Sequence, residues 1–305
     1  MDTSRRIFIR NSAIAVAGAT LLPHYLSAQP KKLERLVVQL YTVRDAMHAD
    51  AVGTLKKLYD AGVRHIEHAD YANRKFYGYS IKDFKDILND IDLQMASGHT
   101  VMTAQDWDSS RGDFTDKWKH TIDDAAAVGQ RYLISPWLDE SLRTNLDSLK
   151  RMMDQFNKCG ELCKTHGLKF GYHNHNFEFS TMVGQIRLYD YMLQNTDPSL
   201  VAQQLDVGNM YSGGGIALDY IQKYPGRFEL MHIKDEIKST GKGDLGDGYE
   251  STLLGKGLLP IKEILKAARK IGGTSQFVIE QESYQGLNPL DCVKIDLQTM
   301  TKWGY

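Results

Sequence analysis

From Leu36 to the C-terminus, short runs rich in β-branched and aromatic residues alternate with runs of helical periodicity, and this alternation restricts the chain to a parallel α/β architecture. LVVQLYTV precedes VGTLKKLYDAG, HIEHA precedes IKDFKDILNDI, QMASGHT precedes DKWKHTIDDAAAVG, and RYLISPW precedes NLDSLKRMMDQFNKCGELCKTHG. The later units are LKFGYHNH with RLYDYMLQNT, LVAQQLDVGNM with LDYIQKY, FELMHIKDE with LPIKEILKAARKIGG, and QFVIEQES with PLDCVKIDLQTMTKW. Gly62, Gly129, Gly167 and Gly272 stand where left-handed caps would close four of the helices. Strand–helix units in this number make a closed (β/α)8 TIM barrel, as a single domain, the economical solution. An open doubly wound sheet would call for a glycine-rich first turn, and QLYTVRDAM has none.

The barrel is expected to occupy residues 29–305, because residues 1–28 read as an export signal. Paired arginines in SRRIFIR precede a short apolar run at residues 13–22, and a small-residue end follows at Ser27-Ala28. That run falls short of the roughly 20 apolar residues a membrane helix needs. The pattern is similar to twin-arginine signals, which export folded proteins, and it places the mature protein in the periplasm. An ordinary export signal with a basic start is the plainer alternative. Removing residues 1–28 takes the net charge from −1 to −3, which leaves no basic footprint for nucleic acid. No later run is long enough to hold the chain in a membrane. A homo-oligomer is compatible with the chain. Cys159, Cys163 and Cys292 read as buried thiols rather than a disulfide framework or a redox pair.

Four successive strands in the second half end in a residue able to bind a metal: His173, Asp206, His232 and Glu280. Carboxyl ends of barrel strands meet around one mouth, so the four are expected to converge. Two imidazoles with two carboxylates suit one divalent ion such as Mn, Zn, Fe, Co or Ni, with Mg also compatible, better than calcium. Side chains two apart on a strand share a face, which pairs His175, Lys234 and Glu282 with three of these ligands. Glu67, His99 and Trp137, at the ends of strands two, three and four, join Lys234 and Glu282 as candidate substrate contacts. Any one of the histidines, alone, would read as a hydrogen-bonded barrel residue; the repetition over four strands carries the metal reading. Insertions at residues 71–79 and 237–257 follow strands two and seven and are expected over the mouth.

The runs HNHNFEF, QLDVGN, MHIKD, LGKGLLPIKEIL and FVIEQE resemble the xylose-isomerase-like barrel superfamily of sugar isomerases, epimerases and inosose dehydratases, to which endonuclease IV is also related. The resemblance runs from about residue 36 to the end and is most specific in the second half. It implies a metal held by Glu, Asp, His and Glu from strands five to eight. Asp206, His232 and Glu280 match, while His173 stands where the family usually has Glu. Two-base epimerases of the family use a glutamate on strand five, which this departure removes. The expectation is therefore a lyase or hydratase acting on a non-phosphorylated keto sugar or 3-keto-glycoside through an enediolate, with Glu280, Glu178 and His175 as candidate proton carriers. A sugar isomerase or epimerase is the alternative. A non-catalytic sugar-binding barrel is the alternative from another class, and an endonuclease IV-like phosphodiesterase lacks its basic face.

Overall fold

The structure, a computed structural model, describes residues 35–305; the export signal expected at residues 1–28 lies outside them. The parallel strands β1 (Arg35–Gln39), β2 (His65–His68), β3 (Gln94–His99), β4 (Tyr132–Ser135), β5 (Lys169–His173), β6 (Val201–Asp206), β7 (Leu230–Ile233) and β8 (Gln276–Ile279) close into a barrel in chain order. Gln39 lies opposite Glu67, and Val37 opposite Val278, so β1 pairs on both sides and the sheet has no free edge. After each strand comes a helix: α1 (Ala51–Asp60), α2 (Ile81–Ile91), α3 (Asp116–Val128), α4 (Leu146–Thr165), α5 (Leu188–Asn195), α6 (Ala217–Lys223), α7 (Ile261–Ala267) and α8 (Pro289–Lys302).

Local chemistry sets these limits. Asp50, Ser80, Thr115 and Asn145 each accept a backbone N–H three residues on, capping α1 to α4. In α4 the buried Leu149, Met152, Met153, Phe156, Cys159 and Cys163 recur at helical spacing and form one face against the barrel. Gly62, Gly129 and Gly167 are left-handed as expected. Gly272 is not. A π turn over Ala268–Gly272 widens the end of the helix, and the left-handed residue falls one later, at Gly273 with φ 82°.

The large apolar clusters lie between strands and helices. Alternate strand residues point to the barrel axis, where Val37, Ala96 and Val278 form one small cluster and Ile134, Ala202 and Leu230 another. Further along the same faces the filling turns polar: Gln39, Glu67, Ser97, His173, Gln204 and His232 are all buried. The register of β2 with β3 shifts between Ile66 and Glu67, leaving Ala96 as the extra residue of a bulge in β3 at this level.

Both insertions are structured. Residues 71–80 form a three-stranded sheet, Tyr71–Ala72, Lys75–Phe76 and Tyr79–Ser80, and Asp235–Lys238 pairs antiparallel with Tyr249–Thr252. The three cysteines are free and buried, with Cys159 and Cys163 Sγ atoms 3.9 Å apart on α4. Among the described residues no helix is long and apolar enough to cross a membrane.

Candidate metal centre and active-site cavity

His173, Asp206, His232 and Glu280 are buried at the ends of β5 to β8, and one ligand atom from each lies within 4.8 Å of the others. His99 with His173 and His232 makes a second grouping within the same distance. Asp206 shows what the first arrangement lacks in protein partners. Its Oδ1 accepts the Asn209 N–H at 2.7 Å and caps the short helix Val207–Ser212, whereas its Oδ2 is buried without a hydrogen-bond partner. The nearest cationic groups to that oxygen are His232 Nδ1 at 3.8 Å and Lys234 Nζ at 3.9 Å. A buried carboxylate oxygen left unpaired is costly. Burial pushes the Asp206 carboxyl up to about 6, against the pull of Lys234. A divalent cation facing Oδ2 would remove that cost, so the donor set fits a metal.

The tautomers beneath follow from one acceptor. Glu67 is fully buried and accepts from Gln39 Nε2 at 2.8 Å, Gln204 Nε2 at 2.7 Å and Ser97 Oγ. An ionised carboxylate only accepts, which turns the Gln204 amide nitrogen toward Glu67 and its Oε1 toward His99 Nε2 (2.7 Å) and His173 Nδ1 (3.1 Å). Both ring nitrogens must then donate. His232 Nε2 likewise donates to Glu67 Oε1 at 2.7 Å, leaving Nδ1 to face Glu280 Oε2 at 3.0 Å. Although burial opposes it, the carboxylates of Glu280 and Glu67 push His232 up to about 10. At Nδ1 the ring thus holds a proton that a metal would replace. Burial alone would raise Glu67, but His99 and His232 hold it well below the carboxylate range. A carboxylate behind a ligating imidazole is the usual way a metal-binding histidine is oriented.

Above this lies a cavity of about 800 Å3. His99, Trp137, His173, His175, Glu280 and Glu282 line it; Glu67, Glu178 and Lys234 do not. Lys234 is buried and bonded to Glu282 and, at 3.0 Å, to Asn209 Oδ1, with Glu280 Oε2 3.7 Å away. Burial opposes its charge, yet Glu282, Asp206 and Glu280 hold it firmly protonated. Glu178 lies behind His175, taking the Tyr172 hydroxyl at 2.5 Å and the His175 N–H at 2.8 Å, and burial raises it to about 7. His175 is kept neutral, down to about 3, by burial and by Lys234. Its Nδ1 is buried and unpartnered. Trp137 is 42% exposed and meets His175 edge-on with ring centroids 5.2 Å apart.

Sequence reasoning did not single out Gln39, Ser97 or Asn174 as parts of the site. Gln39 closes β1 and Ser97 lies two residues before the end of β3, so the alternation that selected the ligands could have marked them. Asn174 donates from Nδ2 to Asp206 O at 3.0 Å and accepts the Asp206 N–H at 2.9 Å, fixing the end of β6 against β5.

A sequence profile of the xylose isomerase-like TIM barrel family matches residues 55–303, and the chain belongs to that family. An inosose dehydratase of Clostridium perfringens is 31% identical over 106 residues, which span 35% of this chain and 35% of that relative. A sugar phosphate isomerase/epimerase of Parabacteroides distasonis, solved crystallographically, is 26% identical and superposes with a TM-score of 0.72 over 88% of this chain and 98% of its own. The IolI protein, solved with a bound zinc atom, shares the fold at 14% identity, with a TM-score of 0.69 over 88% of this chain and 97% of that one.

Proposed function

We propose that the protein is a divalent-metal-dependent lyase acting on a non-phosphorylated keto sugar or 3-keto-glycoside. The observation that carries the metal is the unpartnered Asp206 Oδ2 within the His173, Asp206, His232 and Glu280 set. Zinc in the IolI protein and the inosose dehydratase relatives support this reading. When bound, the ion would polarise the substrate carbonyl and acidify the neighbouring C–H. Two cavity-lining groups on different strands are placed to move the proton: Glu280 from β8 and His175 from the turn after β5. His175, neutral and lining the cavity, can take a proton from the carbon beside the carbonyl to give an enediolate. Return of the electron pair then expels the β-substituent, which leaves with the proton that His175 has taken. Glu178 holds the His175 backbone, and Glu282, held by Lys234, offers a fixed acceptor to substrate hydroxyls.

One feature favours a lyase over a two-carboxylate epimerase. The strand-five side of the cavity presents imidazoles, and Glu178 is turned away from it. Among the described residues that line the cavity there is no arginine, and Lys117 is the lysine, which argues against a sugar phosphate. Incubating metal-loaded protein with keto sugars and glycosides in D2O, followed by NMR, tests the reading. Elimination is expected, with deuterium at the carbon beside the carbonyl in the substrate that has not yet eliminated. Deuterium with an inverted or isomerised product would give the isomerase or epimerase alternative. Neither exchange nor turnover at full metal occupancy would leave a sugar-binding barrel.

A further inference from the structure

The cavity above the four ligands is larger than one sugar ring needs. Its volume of about 800 Å3 falls in the upper half of the roughly 300 to 1,000 Å3 range of small-molecule pockets. It is also lopsided. The groups placed for chemistry, His175, Glu280 and Glu282, follow β5 and β8. A second stretch of wall comes from Tyr71, Ala72 and Asn73 after β2 and from Asp106, Lys117 and Thr121 after β3. None of these six belongs to the ligand set or to the network around Glu67.

That outer wall is held in place. Asn73, Arg74 and Tyr77 have φ of 51°, 60° and 49°, a left-handed backbone that residues other than glycine seldom adopt. Arg74 donates from Nε and Nη2 to Asp124 of α3 at 3.0 and 2.7 Å, and the Tyr71 hydroxyl donates to the same carboxylate at 2.7 Å. Three bonds to one side chain on the neighbouring helix fix a strained hairpin, and strain so fixed clusters at ligand clamps. The wall offers an amide, a hydroxyl and the Lys117–Asp106 pair at 3.8 Å to a hydroxyl-rich ligand. Val101 and Trp137, 41% and 42% exposed, offer apolar surface to a ring face.

We propose that the outer part of the cavity is a second sugar subsite and that the substrate class is therefore a glycoside of at least two rings. The keto ring sits over the four ligands, and the ring joined through its glycosidic oxygen lies against the hairpin wall. This rests on the keto-sugar reading above. The test uses metal-loaded protein, the 3-keto derivatives of an α-linked and a β-linked glucose disaccharide, and 3-keto-glucose. Saturation-transfer NMR should show protons of both rings of one disaccharide in contact with protein, and its KM should be at least tenfold below that of the monosaccharide. Ala72→Trp, which fills the outer part, should bring the two KM values together. Saturation confined to the keto ring, or equal KM values in the wild type, overturns the second subsite while the keto-sugar reading stands. Binding of none of the three sugars overturns both. If the Ala72→Trp protein fails to fold, the wild-type saturation pattern decides.

Discussion

Glu67 sets the proton positions of three histidines without lining the cavity itself. Its carboxylate fixes the Gln204 amide, and the two together dictate that His99, His173 and His232 donate downward. Glu67→Gln puts an NH2 group among donors and removes that dictation. On the metal reading, affinity for Zn or Mn should fall about 10- to 100-fold, as loss of an orienting partner does elsewhere, while circular dichroism stays that of the wild type. Competition against a chromophoric chelator measures it, and unchanged affinity would detach Glu67 from the centre. The convergence of His173, Asp206, His232 and Glu280 could be read from the sequence because each lies at a strand end, but Glu67's part could not. It depends on which strands become neighbours across the barrel axis, and no spacing within one strand encodes that. Glu178 shows the same limit: sequence placed it just past His175, while its direction was set by Tyr172 and the turn that follows β5.

At the scale of elements, α8 carries a buried acid that should make stability depend on pH. Asp296 Oδ1 accepts the Leu254 N–H at 2.9 Å, and burial, with Asp235 nearby, raises its carboxyl from 3.8 to about 7. The folded protein thus favours the protonated form. Its contribution is complete below the unfolded value near 3.8 and is lost as pH rises through about 7. Asp296→Asn keeps the acceptor without the charge, so it should match the wild type at pH 4 and exceed it at pH 8 by on the order of 2 kcal/mol. Urea denaturation at both pH values checks this, and a constant difference would rule out the titration. The eight strand–helix units were legible because each is long enough to show its period. The sheet of residues 71–80 was not, since its strands have two residues each and two-residue strands show no alternation.

For the whole molecule, a metal bound only by the folded chain must add to stability. With free metal at about 100 times its Kd the gain is about 2.7 kcal/mol, or about 5 to 10 °C in Tm for a domain of this size. Calorimetry before and after chelation should show that fall, and an unchanged Tm with no ion found by elemental analysis would remove the metal from the function. We also propose that the chain is exported, on the strength of SRRIFIR and the apolar run behind it. Mass spectrometry of the native protein should find an N-terminus near Gln29, and an intact Met1 in a soluble cytoplasmic fraction would count against export.

The polar filling of the upper barrel has a consequence for how this sequence can change over time. Gln39, Ser97, Gln204 and Gln276 are neutral residues, each with a side-chain donor committed to Glu67 or to another of the four. A single replacement among them strands a buried partner, at a cost of about 1–3 kcal/mol, whereas replacing several together can close a new circuit. In a saturation mutagenesis screen scored for soluble protein, these four positions should therefore tolerate single changes as poorly as the apolar Val37 and Val278 below them. Descendants of this chain should alter them in sets.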